Sequence, residues 1–265
     1  MSEWATGELD LEAYLRKLGV TEPSLKAVHS AHITTVPFEN IDVLLGAVPK
    51  LDLPSLQAKL VDRDRGGYCY EHNLLYTAAL ERLGIPVRRV LARPRLGGGP
   101  AKPKTHMLAI AEADGREWIT DVGWGGGCLL EPMPFEEGTM RQGAWTFRLT
   151  RIEEQWVLQS LTAGEWVDLY GFTGERQYPC DFEAANFYIA KSDDSPFVGR
   201  LIVQSTTAEY RQTLVGDELT KAEPGGRTEK RTLTREEIFD VLPGAFGIEL
   251  TDAERDQVRR ALIPA

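Results

Sequence analysis

The spacing of apolar residues predicts helices through about the first 85 residues of the chain. Apolar positions recur every three or four residues over 9–19, which ends in a glycine, and over 24–35, which stops before Pro37. A shorter segment of this kind covers 54–61. The clearest helical pattern is 71–84, which is followed by an isoleucine and a proline, so that its end is well marked.

After residue 85 the apolar period changes from helical to two, which indicates strands. A strand is predicted over 86–96, followed by a basic loop over 97–104. The segment 106–124 resembles a β-hairpin, because the dipeptide Asp114-Gly115 separates two apolar runs. Further strands are expected over 146–152, 155–161 and 165–172, with a turn at Ala163-Gly164.

The remainder of the chain is mixed. It has a helical pattern at 181–192, a strand at 200–206 and helices at 234–242 and 251–262. The chain is therefore expected to be an α+β protein with a helical segment, an antiparallel β segment and a smaller mixed segment. These segments cover residues 1–85, 86–200 and 201–265.

Composition and charge narrow the classes of function. The chain of 265 residues is 42% hydrophobic and 26% charged, which is typical of a folded globular protein. Its net charge of −10 argues against nucleic-acid binding, and no apolar run approaches the roughly 20 residues that span a bilayer. Its three cysteines do not form a disulfide framework. With no secretory signal at 1–10, we expect a cytoplasmic protein.

Cys69 is the most informative of the three cysteines. It follows Gly66 and Gly67, which permit a tight turn, and it lies in the first turn of the clearest helix. The positive end of a helix favours an anion, so the thiolate form is favoured there and can act as a nucleophile. The alternative is a small buried apolar residue, which is the interpretation we give to Cys128 and Cys180.

A nucleophilic cysteine needs a base, and the chain has four histidines. His106 opens a predicted strand and is the first choice. His72 lies three residues after Cys69 and is the rival. His29 and His32 share an early helix and are expected to be solvent-exposed or capping residues.

Asp121 is the candidate for the carboxylate that orients the base. It ends the second strand of the predicted hairpin, whose first strand begins at His106, so closure of the turn brings the two side chains together. A buried aspartate also requires such a partner. A metal site made of Cys69, His72 and His106 is disfavoured, because the spacing of these residues is not typical of metal ligands.

At this point the sequence resembles the arylamine N-acetyltransferase family. The resemblance rests on PFEN at 37–40, RGGYCYEHN at 65–73, His106 at the start of a strand, DVGWG at 121–125 and SPF at 195–197. It covers most of the chain and weakens after about residue 200. It implies a helical bundle, a β-barrel and an α/β lid, with a Cys-His-Asp core like that of cysteine proteases.

The resemblance also implies a ping-pong reaction with acetyl-CoA as cosubstrate and no tightly bound cofactor or metal. Cys69 would take the acetyl group, His106 would form the imidazolium and Asp121 would orient it. An arylamine, arylhydroxylamine or hydrazine would then accept the group. The oligomeric state is left open.

Aromatic side chains are implied to line the acceptor cleft. They are Phe38, Trp124 and Phe197, whose flat apolar faces suit an aromatic amine. The family more often has phenylalanine at the position of Trp124, and the larger indole ring would change the shape of the cleft. The alternative for each residue is ordinary core packing.

Three charged or polar motif residues are implied to be structural. A buried charge persists only when it is paired, and Arg65, Glu39 and Asn73 are expected to hold the helix of Cys69 against the first segment.

The negative charge of CoA is at odds with a net charge of −10, so its phosphates require a local site. Backbone N–H groups of a glycine-rich loop next to Asp121 are candidates, with Lys102 and Lys104 adding positive charge. The alternative is a flexible turn and a solvated basic loop. The glycines concerned are Gly123, Gly125, Gly126 and Gly127.

Two other activities share the same core and stay open from the sequence. One is an amide synthase that moves a polyketide from a carrier-protein thioester onto an amine. The other is a thiol hydrolase or transglutaminase-like enzyme, in which water or another amine would take the acyl group. A non-enzymatic binding module would require the three residues to be in register by chance.

Overall fold

The computed structural model describes residues 3–97 and 102–262, so the predicted basic loop lies partly outside the described residues. The first segment is helical, as its apolar spacing predicts, and contributes one short strand. Asp10, Ser24 and Asp52 cap three of its helices by accepting a hydrogen bond from a backbone N–H of the first turn. The elements are α1 Leu11–Leu18, α2 Leu25–Thr35, β1 Phe38–Glu39, α3 Ile41–Leu44, α4 Leu53–Leu60 and α5 Cys69–Arg82.

The second segment forms an eight-stranded antiparallel sheet that curls into a nearly closed barrel. The predicted hairpin is confirmed, and its turn residues Asp114 and Gly115 both have positive φ, 53° and 73°, which suits the twist of a two-residue loop. Its strands are β2 Val87–Pro94, β3 His106–Ala113, β4 Arg116–Thr120, β5 Met133–Pro134, β6 Gly138–Gln142, β7 Trp145–Ile152, β8 Gln155–Thr162 and β9 Glu165–Phe172.

The third part of the chain forms a second sheet with two helices packed on one face. Its strand order is β1-β10-β11-β12-β13, so the short strand from the first segment is one edge of this sheet. The α+β architecture is thereby confirmed. The elements are β10 Ile202–Thr206, β11 Arg211–Val215, β12 Glu218–Ala222, β13 Thr228–Thr232, α7 Arg235–Phe246 and α8 Asp252–Ala261, and they are preceded by α6 Pro179–Lys191, which packs into the core of the first segment.

Strands β11 to β13 are absent from the sequence prediction, which expected one strand and two helices there. The reason is their polarity: β13 is exposed along its whole length and β12 has no buried residue. A strand without a buried face lacks the alternating apolar pattern on which a prediction depends.

Helix α5 lies at the centre of the molecule. Each residue from Cys69 to Leu80 is buried, because α1, α2, α4, β2 and β3 surround the helix. Because neighbours surround α5, its apolar residues are not confined to one face of the helix. No helix in the described part of the chain is both long and apolar enough to cross a membrane.

Arg65 lies just before α5, and its guanidinium group is buried among three carboxylates. Its nitrogens lie 2.7 Å from Glu39, 3.0 Å from Asp42 and 2.7 Å from Glu254. These partners belong to β1, α3 and α8, so one side chain connects the first segment to the last helix. Burial opposes its charge, but the carboxylates outweigh burial and raise the pKa of Arg65.

Lys59 extends this ion network on the side of α5. Its ammonium group lies 2.8 Å from Glu71 and 2.7 Å from Asp42. Glu71 in turn accepts a hydrogen bond from the backbone N–H of Tyr68, at 3.1 Å, which caps the start of α5. Two buried cations therefore fix the turn that precedes Cys69.

We expect Arg65→Met to lower the free energy of unfolding by about 3–5 kcal/mol, because it leaves Glu39 buried without its partner. Arg63→Met is the matched control, since Arg63 also pairs with Glu254 but is exposed, and its loss should cost less than about 1 kcal/mol. Urea unfolding of both variants measures the difference. Equal costs would contradict the structural role of Arg65.

Candidate active site

Cys69 is held at the start of α5 by the close approach of two backbone segments. A Cβ atom on Gly66 would lie 1.8 Å from the carbonyl oxygen of Pro37, so only glycine permits this contact. The Cys69 side chain is 5% exposed, and its Sγ lies 3.8 Å from the carbonyl oxygen of Thr105. Cys69 is also near enough to His106 to help raise the pKa of that imidazole. The cysteine thus faces the start of β3.

His106 and Asp121 form a buried pair. The His106 Nε2 and Asp121 Oδ2 atoms are 2.7 Å apart. Asp121 lies one residue beyond β4; extending the register Ala109↔Thr120 places it opposite Leu108. It is therefore a diagonal neighbour of His106 on the same face. Burial opposes protonation of His106, but the Asp121 carboxylate outweighs it and raises the pKa of His106 to about 9.

Asp121 is held in place by two further hydrogen bonds on its other oxygen. Asn73 Nδ2 donates at 3.0 Å and the backbone N–H of Gly123 donates at 2.9 Å. Burial acts to raise the pKa of Asp121, yet His106 and these donors hold it below its usual value. A side chain at Gly123 would collide with Asn73 and with the backbone of Cys69, so glycine is required there.

Two aromatic rings pack on His106. The Trp124 ring centroid lies 4.7 Å and the Tyr170 centroid 4.8 Å from that of the imidazole, and the two rings also contact each other. Tyr170, in β9, was not among the residues singled out from the sequence, and nothing in its local pattern distinguishes it from other barrel residues. The rings limit water around the His106–Asp121 pair.

The other two predicted cleft residues lie together on the side of β1. The Phe38 and Phe197 centroids are 5.8 Å apart, and Tyr68 packs edge-on against Phe197 at 5.9 Å. A Cβ atom on Gly125 would lie 3.1 Å from the Phe38 ring, which places this ring beside the glycine-rich loop. That all three aromatic residues line one cleft stays a prediction.

Three of the four N–H groups proposed for phosphate binding in the glycine-rich loop already have acceptors within the protein. The N–H of Gly123 is donated to Asp121, that of Gly126 to Gln204 at 2.8 Å, and that of Gly127 to the carbonyl of Gly125 at 2.7 Å. These three donors are therefore used within the protein, and phosphate binding by the loop stays a prediction. The loop instead packs against β10.

His72, the rival base, faces away from the chemistry and belongs to a chain of hydrogen bonds. Its Nε2 is 2.9 Å from the carbonyl of Gly67, and its Nδ1 is 2.8 Å from Nε2 of His32. His32 Nδ1 is in turn 2.7 Å from the hydroxyl of Tyr14. Because the Gly67 carbonyl can only accept, Nε2 of His72 carries a proton, and its Nδ1 accepts a hydrogen bond from Nε2 of His32. Nδ1 of His32 then accepts from the Tyr14 hydroxyl, so both imidazoles are neutral. This series of hydrogen bonds supports the backbone next to Cys69.

His29 forms a second buried chain. Its Nε2 donates to the carbonyl of Leu129 at 3.0 Å, and its Nδ1 accepts from the Thr120 hydroxyl at 2.7 Å. Thr120 directly precedes Asp121. The expectation that His29 and His32 are exposed or capping residues is wrong, because both side chains are fully buried. Burial lowers the pKa of His29 and of His72 to about 4 and holds the pKa of His32 far below its usual value.

This geometry defines a class of protein. A cysteine at the start of a buried helix, next to a histidine that an aspartate orients, is the arrangement of thiol enzymes that form acyl intermediates. Among the described residues no cluster of three or more His, Cys, Asp or Glu side chains could hold a metal ion.

Comparisons with known proteins give the family. A family model described as N-acetyltransferase matches residues 23–255. The arylamine N-acetyltransferase of Mycolicibacterium smegmatis is 38% identical over 264 residues, covering 94% of this chain and 95% of the relative. This chain therefore belongs to the arylamine N-acetyltransferase family.

Solved structures of arylamine N-acetyltransferases are similar to this chain along almost its whole length. The structure of the arylamine N-acetyltransferase from Mycobacterium abscessus has a TM-score of 0.93 at 32% identity and covers 98% of this chain and 96% of its own. The structure of the Mycobacterium marinum arylamine N-acetyltransferase in complex with CoA has a TM-score of 0.89 at 33% identity. It covers 96% of this chain and 98% of its own.

We expect the stability of the protein to fall steeply below pH 6.5. Burial holds His32 neutral in the same direction, and each of His29 and His72 is protonated in the unfolded chain below about pH 6.5 and in the folded chain only below about 4. Its contribution is therefore complete above pH 6.5 and is lost, at about 1.4 kcal/mol per pH unit, as the pH falls through this window. Glu71 opposes this, because burial raises its pKa to about 7.

Urea unfolding at pH 7, 6 and 5 tests this, with His29→Gln as the comparison. Between pH 6 and 5, three histidines against one glutamate leave about two protons of net uptake on unfolding. Near and above pH 6.5 the raised pKa of His106 acts in the opposite direction, because the folded chain keeps a proton that the unfolded chain loses. The variant should show a slope shallower by about one proton. Wild-type stability that is independent of pH between 7 and 5 would contradict neutral buried histidines.

A second prediction concerns His106. Because its pKa is raised to about 9 while those of the other three histidines are lowered, only its imidazole signal should titrate above pH 7 in an NMR experiment. In Asp121→Asn the midpoint should move to lower pH, since the carboxylate that favours the imidazolium is gone. Asp168→Asn, in the same barrel but bonded to Arg95 and Gln159, is the control and should not shift it.

Proposed function

We propose that this protein transfers an acetyl group from acetyl-CoA to an arylamine, an arylhydroxylamine or a hydrazine through an acetyl-cysteine intermediate. The observation that carries the proposal is the buried arrangement of Cys69, His106 and Asp121, with a His106–Asp121 distance of 2.7 Å. Membership of the arylamine N-acetyltransferase family supplies the donor and the class of acceptor.

In the first half-reaction the Cys69 sulfur attacks the carbonyl carbon of the acetyl thioester. The bond from that carbon to the CoA sulfur breaks, and the CoA thiolate leaves with a proton from His106. The role of Asp121 is to hold the imidazole in position and to stabilise its protonated form. The raised pKa of His106 keeps the imidazolium available at neutral pH as the partner of the Cys69 thiolate.

In the second half-reaction the amine nitrogen attacks the acetyl-cysteine. His106, now neutral, accepts the proton that the amine nitrogen loses, and the Cys69 thiolate leaves. Aromatic amines are weak bases and are largely unprotonated at neutral pH, so they can attack directly. The burial of Cys69 and the rings around His106 support transfer to an amine over hydrolysis, because they limit access of water to the acetyl-cysteine.

For the acceptor cleft we retain Phe38, Trp124 and Phe197 as the proposed walls. Phe38 and Phe197 lie beside each other, and Trp124 packs edge-on against His106. Flat apolar faces on both sides suit an aryl ring. A reducing compartment such as the cytoplasm fits this chemistry, since Cys69 must stay a free thiol and all three cysteines are unpaired.

Intact mass spectrometry after brief exposure to acetyl-CoA tests both half-reactions. We expect one acetyl adduct on the wild-type protein, which disappears when an aniline is added. Cys69→Ser should carry no adduct and lose at least about 1,000-fold of the transfer rate, because a serine hydroxyl is a far weaker nucleophile at neutral pH. Cys180→Ser, an exposed cysteine on α6, is the matched control.

The outcomes separate the alternatives. An adduct that is lost at the same rate with and without aniline would indicate a hydrolase. A wild-type protein that forms no adduct, although iodoacetamide alkylates Cys69 rapidly, would indicate another donor, such as a carrier-protein thioester. Inactivation by His72→Gln and not by His106→Gln would overturn the assignment of the base.

A further inference from the structure

Arg211 is a largely buried arginine that has no acidic partner among the described residues. Arg65, Arg89 and Arg95 each pair with a carboxylate within 3.0 Å. In contrast, within residues 3–97 and 102–262 no carboxylate lies within 4.0 Å of Arg211, and its one hydrogen-bond acceptor is the Ser160 hydroxyl at the long distance of 3.5 Å. Its buried Nε has no partner there. A buried charge without a partner is costly, so the position requires an explanation.

The orientation of the guanidinium group leaves its hydrogen-bond donors unused. The group lies over the Trp145 ring, with Cζ 3.8 Å from the centroid. Stacking uses the face of the guanidinium, whereas its five N–H donors lie in the plane at the edge. The cation–π contact therefore fixes the position of the guanidinium group without providing acceptors for its hydrogen bonds. The planar arrangement of its N–H donors matches the oxygens of a phosphate.

Arg211 lies on the face of its sheet that covers the glycine-rich loop. It pairs in register with Thr206, whose hydroxyl donates to the carbonyl of Gly125 at 3.2 Å. Two residues along β11, the methyl group of Thr213 lies 2.9 Å from where a Cβ of Gly126 would be. Arg211 and the glycine-rich loop therefore both lie at the boundary between the C-terminal sheet and the barrel.

A short series of contacts leads from Arg211 to the proposed catalytic residues. A Cβ atom on Gly127 would lie 3.8 Å from Arg211 Cζ and 3.4 Å from Trp124 Nε1. The Trp124 ring packs on His106, whose pKa Cys69 helps to raise. In acetyl-CoA the phosphates are separated from the thioester by the long pantetheine arm, so a phosphate site is expected several side chains away from the reacting sulfur.

We propose that Arg211 binds a phosphate group of acetyl-CoA at the boundary between β11 and the glycine-rich loop. This inference rests on the proposed function, because that function supplies the anion. It resolves the problem posed by a net charge of −10, since the cation is local and is not neutralised by a neighbouring acid. Burial lowers the pKa of Arg211 to about 10, which an anion at this place would counteract.

The test compares ligands with and without phosphates on folded protein. In isothermal titration calorimetry, Arg211→Gln should weaken CoA binding by about tenfold or more, the usual effect of losing a charge-assisted contact. Its affinity for pantetheine, which has no phosphate, should be unchanged, as should the acylation of Cys69 by p-nitrophenyl acetate. Dephospho-CoA distinguishes the two phosphate positions, since equal loss for both ligands indicates the pyrophosphate.

Arg148→Gln is the matched control. Arg148 also stacks on a tryptophan, with Cζ 4.3 Å from the Trp166 centroid, and it too has no carboxylate within 4.0 Å among the described residues. Its Nε, however, donates to Gln159 at 2.7 Å. This variant should bind CoA like the wild type. Arg211→Met, which keeps an apolar stem over Trp145, provides a second variant that retains the packing.

Wild-type affinity for CoA in Arg211→Gln or Arg211→Met would overturn the inference and leave the proposed function intact. Equal losses for CoA, pantetheine and p-nitrophenyl acetate would also overturn it, because they indicate a structural role. If neither variant folds, phenylglyoxal modification of the wild type decides: CoA should protect Arg211, and no protection overturns the inference. A wild-type protein that is not acetylated by acetyl-CoA would instead refute the proposed function.

Discussion

The buried ion pairs of Arg65 are the interaction on which the position of the proposed nucleophile depends. They join Glu39 of β1 to Glu254 of α8 across the turn that precedes α5. With this turn fixed, the close approach of Gly66 to Pro37 sets where the helix begins and therefore where Cys69 lies. A helix buried along most of its length cannot shift without disturbing the whole core, so the sulfur is held opposite β3 by packing as well as by charge.

Burial imposes a second condition, which is that each polar group near the site must have a partner. Asp121 meets it with His106, Asn73 and the N–H of Gly123. The histidines at 29, 32 and 72 meet it by staying neutral in hydrogen-bonded chains. The consequence is a site whose dipoles are already oriented before a substrate binds, which is how enzymes stabilise a developing charge without reorganisation. The same burial makes the fold sensitive to acid.

The C-terminal sheet contributes to the site from outside the barrel. Gln204 takes up the N–H of Gly126, and Thr206 donates to Gly125, so the loop is fixed against β10 rather than left open for a ligand. The guanidinium of Arg211, which has no carboxylate within 4.0 Å in the described part of the chain, lies on this face as well. An acidic protein that uses an anionic cosubstrate needs a cation of this kind, held by an aromatic ring and not by a carboxylate, because a neighbouring acid would compete with the phosphate.

Local patterns in the sequence determined the helices, the hairpin at Asp114-Gly115 and the pairing of His106 with Asp121, because each depends on periodicity or on a short turn. The motif around Cys69 gave the family in the same way. Tertiary structure alone decided the strands β11 to β13, which have no apolar alternation, and the environments of His32, Tyr170 and Arg211. These environments are made by residues 18 to 66 positions away in the chain, such as Tyr14 for His32 and Trp145 for Arg211, and such contacts leave no mark on the local pattern.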